Sequence, residues 1–340
     1  MRKLRSFIIL MLMISSLAAC GTKESSSNLS ENKKGISGNL SFYTSQPDED
    51  AQKLVDAFTK KYPDVQVELF RSGTEEVVSK ILAENQAGNI QADVLLVADS
   101  VTFESLKEQD LLLAYKSEEA NEIPESYIDK DHMYTGTKVM ATALAVNTKN
   151  VTNMPDSWKV LADEKAKAQS IMPSPLYSGA AAYNVGVFTR QGDFGWDFYE
   201  QLKKNEMVVT KGNGAVLKDV AAGDKSYGMV VDFIVARAKA EGSPVELIYP
   251  KEGVPVITEP VGIIKDNKNE ATSKAFVDFV LSEEGQQLAS EIGYTPIRNN
   301  VKAPEGLKSI DEMKVLETDI KDLYKTREED KKQFSEIFGE

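Results

Sequence analysis

From Asn39 onward the apolar residues switch between two periods, alternating with strand-like runs and helix-like spacings. Leu40-Ser41-Phe42-Tyr43-Thr44 reads as a short strand. Ala51, Leu54, Val55 and Phe58 then fall at i, i+3, i+4 and i+7, one face of a helix that stops before Pro63. Val65 to Phe70 is the next strand, and Thr74 to Asn85 the next helix, with Val78, Ile81 and Leu82 on one side. Asp93 to Val97 is a nearly continuous apolar run, as expected of a strand buried on both faces of a parallel sheet. Strand, helix and strand at this spacing predict a doubly wound α/β lobe.

The second half repeats the pattern. Strands are predicted near Met140 to Asn147, Ser170 to Met172, Met207 to Val209, Tyr227 to Val231 and Ile257 to Ile264, with helices between. A helix holding Phe276, Phe279 and Val280 follows, then a short one from Gln286 to Ile292. In the tail, Ile320, Leu323 and Tyr324 recur as Phe334, Ile337 and Phe338, a helical face expected to pack on the body. A chain of 340 residues, 41% apolar, is long enough for two such lobes.

The first residues follow other rules. Arg2, Lys3 and Arg5 precede a short apolar run from Ile8 to Leu17, the layout of an export signal and too short to span a membrane. The chain's one cysteine, Cys20, follows Leu17-Ala18-Ala19 at the expected cut. The pattern resembles the lipobox of bacterial lipoproteins, which implies a lipid-modified Cys20 anchored by acyl chains. Residues 1–19 are then the signal peptide, and the polar stretch 20–38 is a flexible tether.

Charge and composition narrow the function. The formal net charge is −13, and about −16 once Arg2, Lys3 and Arg5 leave with the signal. That surface argues against nucleic acid, which needs basic patches, and leaves anchoring to lipid. With one cysteine there is no internal disulfide. No catalytic constellation emerges: His132 is the sole histidine, no Gly-x-Ser-x-Gly turn occurs, and a histidine-rich metal centre is ruled out. A binding protein, without cofactor or metal, is expected rather than an enzyme.

Three small-polar turns stand where a strand ends and a helix begins: Ser72-Gly73-Thr74, Ser178-Gly179-Ala180 and Asn213-Gly214-Ala215. Each offers backbone N–H groups at a helix N-terminus, a ready oxyanion site, although one turn alone is also explained by helix capping. Ligands of open α/β sheets bind at the carboxyl ends of the strands, where these turns lie. Three turns drawn from both halves point to one shared cleft.

Here the chain resembles a known family. Phe42-Tyr43-Thr44-Ser45, Arg71-Ser72-Gly73-Thr74, Gln91-Ala92-Asp93-Val94, Ala143 to Asn147, Pro155-Asp156-Ser157-Trp158, Met172-Pro173-Ser174-Pro175 and Glu259-Pro260-Val261-Gly262 are similar, in order and spacing, to extracytoplasmic solute-binding proteins of ABC importers. The likeness is to the two-lobed type 2 class, in the group that binds ferric iron, thiamine, phosphonates and phosphorylated sugars. It implies a periplasmic-binding-protein-like fold: two doubly wound α/β lobes joined by two crossing hinge strands. Lobe 1 would hold 39–138 and 260–340, and lobe 2 142–256. It also implies a permease and an ATPase as partners, an extracytoplasmic place on the cell membrane, a monomer, and ligand trapped by hinge closure.

Iron-binding members of that group hold the metal with adjacent tyrosines after the strand aligned to Tyr227–Val231. Here those positions read Val230-Val231-Asp232. Without the tyrosines, the turns suit an oxyanion such as a phosphonate or phosphorylated small molecule, with ferric iron as the alternative. Asp232, if it faces the cleft, suits an amine or hydroxyl on the same ligand; it is equally suited to capping the next helix. Thr44, Ser45 and Gln46 after the first strand, Asp99 and Ser100 after the third, and Tyr177 and Tyr183 as aromatic walls complete the candidates. A partner that senses ligand rather than transporting it, or a hydrolytic role, would be the other classes.

Overall fold

A computed structural model describes residues 35–339; the expected signal peptide, Cys20 and nearly all of the tether lie outside them. The chain runs β1 (Gly38–Thr44), α1 (Asp48–Lys61), β2 (Val65–Arg71), α2 (Thr74–Gln86), β3 (Val94–Leu96), α3 (Ser100–Glu108), β4 (Leu112–Leu113) and the long β5 (Thr135–Asn147). It continues with β6 (Ser170–Pro173), α4 (Gly179–Thr189), α5 (Gly195–Lys204), β7 (Val208–Thr210), α6 (Asn213–Ala222), β8 (Tyr227–Val231), α7 (Asp232–Ala240) and β9 (Val245–Ile248). Last come β10 (Val256–Ile264), α8 (Glu270–Leu281), α9 (Glu283–Ile292), β11 (Thr295–Pro296) and α10 (Ile320–Phe338).

The helix α1 shows why these elements form where they do. Asp48, Glu49 and Asp50 occupy its first turn and Lys60 and Lys61 its last, matching the helix dipole, while Ala51, Leu54, Val55 and Phe58 are buried. In α2 the buried face is Thr74, Val77 and Ile81, one residue round from the expected Val78 side. The cause is that Val77 and Ile81 pack with Tyr43 and Phe103 inside the first lobe, while Thr74 lines the cleft.

The strand order is β2-β1-β3-β10-β5-β8-β6-β7. Around β1 the neighbours β2 and β3 are parallel, as are β7 and β8 around β6. Two antiparallel strands join these parallel groups. The first half of β5 pairs with β10, and its second half, Thr142 to Val146, pairs with β8. All thirteen residues of β5 are buried. This is the expected fold: two α/β lobes joined by crossing strands.

Each lobe has its own apolar packing. Phe42, Phe58, Phe276 and Phe279 interlock on one side of the first sheet, and Tyr43, Val77, Ile81 and Phe103 fill the other. In the second lobe Trp158 packs edge-on to Phe188 and donates Nε1–H to the Gly253 carbonyl at 2.7 Å. The tail helix lies against both lobes. Phe334 and Phe338 of α10 join the second lobe's apolar cluster, Phe334 against Tyr199 of α5, while α10 also lies against α4 and α3.

Candidate functional site

A cavity of about 420 Å³ lies between the lobes. Its walls come from chain that follows strand ends: Ser45 to Asp48 after β1, Gly73 and Thr74 after β2, Ala98 after β3, Ser178 to Ala180 after β6, and Lys211 to Ala215 after β7. Met140 and Glu259 contribute from the crossing strands, and Phe233 and Tyr294 close the inner side. Its size falls within the range of about 300–1,000 Å³ usual for small-molecule pockets.

Two helix N-termini are tied together at this cavity. The Ser178 side chain accepts from the Ala181 amide and caps α4, and Asn213 Nδ2 donates to the same Ser178 oxygen at 3.3 Å. The other end of the Asn213 amide accepts from the Val231 N–H, which fixes α6 to β8. The first N–H groups of α4 and α6, at Gly179, Ala180, Asn213 and Gly214, have no carbonyl within their own helices to bond. They and the aligned helix dipoles favour negative charge in the space before them. The start of α2 joins from the opposite lobe, where the Glu75 N–H donates to the Tyr177 carbonyl at 3.3 Å.

Positive charge stands at the same cavity. Arg71 donates Nε–H to the Gln46 carbonyl at 2.7 Å and lies 3.5 Å from the Tyr177 hydroxyl. Lys211 sits 4.4 Å over the Tyr177 ring and pairs with Glu76 across the cleft at 3.2 Å. The arrangement can hold an oxyanion by backbone donors and two cations together.

The sequence profile of the bacterial extracellular solute-binding protein family matches residues 53–315. The chain belongs to that family. A Salmonella typhimurium periplasmic protein assigned to 2-aminoethylphosphonate binding is 26% identical over 263 residues, covering 74% of each chain. Among solved structures, the periplasmic binding protein AfuA of Actinobacillus pleuropneumoniae, with fructose 6-phosphate bound, superposes with a TM-score of 0.82. It is 25% identical and covers 89% of this chain and 99% of its own. Iron-bound HitA of Pseudomonas aeruginosa shares the fold at a TM-score of 0.77, with 22% identity over 87% of this chain and 99% of its own. This is thus a solute-binding protein of the ABC-importer type, and its family and structural neighbours are binding proteins.

In this solute-binding protein the expected site residues divide into two groups. Ser45, Gln46, Gly73, Thr74, Ser178, Gly179, Ala180, Asn213, Gly214 and Ala215 all line the cavity, as does Tyr177. The rest turn elsewhere. Thr44 donates its hydroxyl to the Leu96 carbonyl, Ser72 bonds Glu76, and Ser100 meets Thr258 on β10 at 2.9 Å. Asp99 caps α3 and pairs with Arg327, and Tyr183 is buried away from the cavity. Arg71, Lys211, Glu259 and Tyr294 were not anticipated. Arg71 and Lys211 had a local signal, since each immediately precedes the small-polar stretch that opens a helix.

Asp232 does not face the cavity. It is buried behind the crossing strand, accepting from the Ala141 N–H at 3.1 Å, the Phe233 N–H at 2.8 Å and the Tyr249 hydroxyl at 2.9 Å. Burial pushes its carboxyl up to about 6, against these bonds and one from its own backbone N–H, which work to lower it. An acid raised in the fold costs stability only when ionised. The penalty is absent below the ordinary 3.8, grows as the pH rises through about 6, and is complete above it. Asp232→Asn is therefore expected to gain stability relative to the parent as the pH rises, by up to about 3 kcal/mol at neutrality. Urea midpoints for both proteins from about pH 4 to about pH 7 check this, and a constant difference over that span would refute it.

Proposed function

We propose that this protein captures a small molecule carrying a phosphonate or phosphate group between its lobes and delivers it to a permease and ATPase, as a monomer tethered outside the cell membrane through lipid on Cys20. The observation that carries the reading is the pair of joined helix N-termini, α4 and α6, sharing one cavity with Arg71 and Lys211. The positive dipole ends favour an oxyanion, with Arg71, which also lies 3.9 Å from Asp48, and Lys211, which pairs with Glu76, as further donors beside them. The ligand-binding set on this reading is the ten anticipated residues that line the cavity, with Arg71 and Lys211 added.

A thermal-shift screen tests it with 2-aminoethylphosphonate, glucose 6-phosphate, 3-phosphoglycerate, thiamine phosphate and ferric citrate. At 100-fold excess over Kd a true ligand stabilises by about 2.7 kcal/mol. At least one phosphorus-bearing compound is expected to raise the melting temperature. A rise with ferric citrate alone would reverse the assignment.

A further inference from the structure

The tail helix α10 ties the two lobes together away from the crossing strands. It is fixed to the second lobe by apolar and polar contacts at once. Leu323 lies against Gly186 of α4, where a Cβ would come within 2.5 Å of its Cδ2, and Phe334 meets Tyr199 of α5 edge-on. Asp330 pairs with Arg190 of α4 at 3.0 Å, and the Phe338 carbonyl accepts from Lys203 of α5 at 3.0 Å. Close packing of this kind transmits motion, so α10 belongs mechanically to the second lobe.

Toward the first lobe the same helix presents charge. Arg327 forks between two carboxylates, with Nη1 3.0 Å from Asp99 Oδ2 and Nη2 2.8 Å from Glu75 Oε1. Lys331 holds Glu75 Oε2 at 2.8 Å and meets Glu328 of its own helix at 2.9 Å. Arg327, Lys331, Glu75 and Asp99 are each at most 16% exposed, so water and salt screen these contacts little. Both acids stand next to the cavity wall, since Glu75 follows Thr74 and Asp99 follows Ala98.

The two acids differ in their distance from the hinge. Asp99 follows β3, which neighbours the crossing strand β10, whereas Glu75 stands in the first turn of α2 after β2, the edge strand of the first lobe. Three inter-strand spacings separate β2 from β10, about 14 Å. A rotation of the lobes about β5 and β10 therefore moves Asp99 little against α10 and Glu75 much further. Parting hydrates Glu75, Arg327 and Lys331 instead of stranding them in an apolar interior. Opening thus costs less than deleting one of the charges, and the contacts can be made and broken repeatedly.

We infer that α10 is a closure latch: carried on the second lobe, it pivots at Asp99 and clasps Glu75 with Arg327 and Lys331 only while the lobes are shut. The latch touches no solute, so it holds whichever solute is bound and is tested without one. Cys20→Ser, Ser79→Cys and Lys218→Cys in the full chain place spin labels at exposed positions of α2 and α6, one on each lobe. Pulsed electron resonance then reads the separation of the lobes in the ligand-free protein. Glu75→Gln keeps the side chain's shape and the backbone N–H bond to the Tyr177 carbonyl while removing the charge. It is expected to raise the ratio of long to short separations about tenfold. Lys331→Met should shift it less in the same direction, since Arg327 still reaches Glu75. Lys332→Met, whose ammonium lies 3.9 Å from Glu336 on the exposed side of the same helix, should leave the parental distribution. A parental distribution in Glu75→Gln, an equal shift in Lys332→Met, or a parent already at the longer separation would overturn the latch.

Discussion

Replacing Gly179 by alanine is expected to leave a folded protein that binds its ligand far more weakly. A Cβ at Gly179 would lie 2.5 Å from the Ala98 carbonyl oxygen and 2.9 Å from Thr74 side-chain atoms, all in the opposite lobe. Gly179 is the first residue of α4, and alanine is the better helix former, so nothing within its own lobe opposes the change. The strain falls on the approach of one lobe to the other. Overpacking of this kind costs about 1–3 kcal/mol, which corresponds to a loss of about 5- to 150-fold in affinity if binding requires the closed form. Gly73→Ala should act alike, since its Cβ would stand 2.5 Å from the Tyr177 carbonyl. Calorimetry with glucose 6-phosphate measures the loss. Spin labels at the exposed Ser79 of α2 and Lys218 of α6 measure the separation directly. Parental affinity and parental distances in Gly179→Ala would show that closure does not set the binding energy.

The glycines of the cleft were legible in the sequence because their role begins locally. Each follows a strand and opens a helix, and the apolar periods around it mark both elements. What the sequence did not show is why glycine and no larger residue stands there, since Ala98 and Gly179 are far apart in the chain and meet across the cleft. The same limit hid the floor of the site. Thr135 to Val139 looks too polar for a buried strand, yet it is buried because Lys138 has Glu259 and Thr137 has the Glu259 carbonyl, both more than a hundred residues away. Asp232 was misplaced for the converse reason. It stands at a strand end, as binding residues do, but Tyr249 and the Ala141 amide had already taken its carboxylate. The α/β pattern depends on near neighbours and could be read; partners brought together by the crossing strands could not.

The tail helix makes the largest stability prediction, because its role is also invisible from periodicity. The apolar face of α10 was expected to pack on the body, and Leu323, Phe334 and Phe338 are buried. Its polar side matters as much. Arg327 reaches the other lobe, with Nη1 3.0 Å from Asp99 Oδ2 and Nη2 2.8 Å from Glu75 Oε1. Lys331 holds the second Glu75 oxygen at 2.8 Å. Burial works to raise the Glu75 carboxyl, and the two cations outweigh it, so it lies below its ordinary 4.5. Arg327→Met keeps the packed stem and deletes the charge, which leaves the buried Asp99 without its cation. Removing one partner of a buried ion pair typically costs about 3–5 kcal/mol. Arg327→Lys should recover little, since one ammonium does not reproduce two forked contacts to separate carboxylates. The part owed to Glu75 is present above pH 4.5 and is lost as acid protonates the carboxyl, so the deficit of Arg327→Met should narrow at lower pH. Urea denaturation of the three proteins near neutrality and at about pH 4 measures it. A deficit below about 1 kcal/mol at neutrality would show that α10 is held by Phe334 and Phe338 alone, with the ion pairs idle.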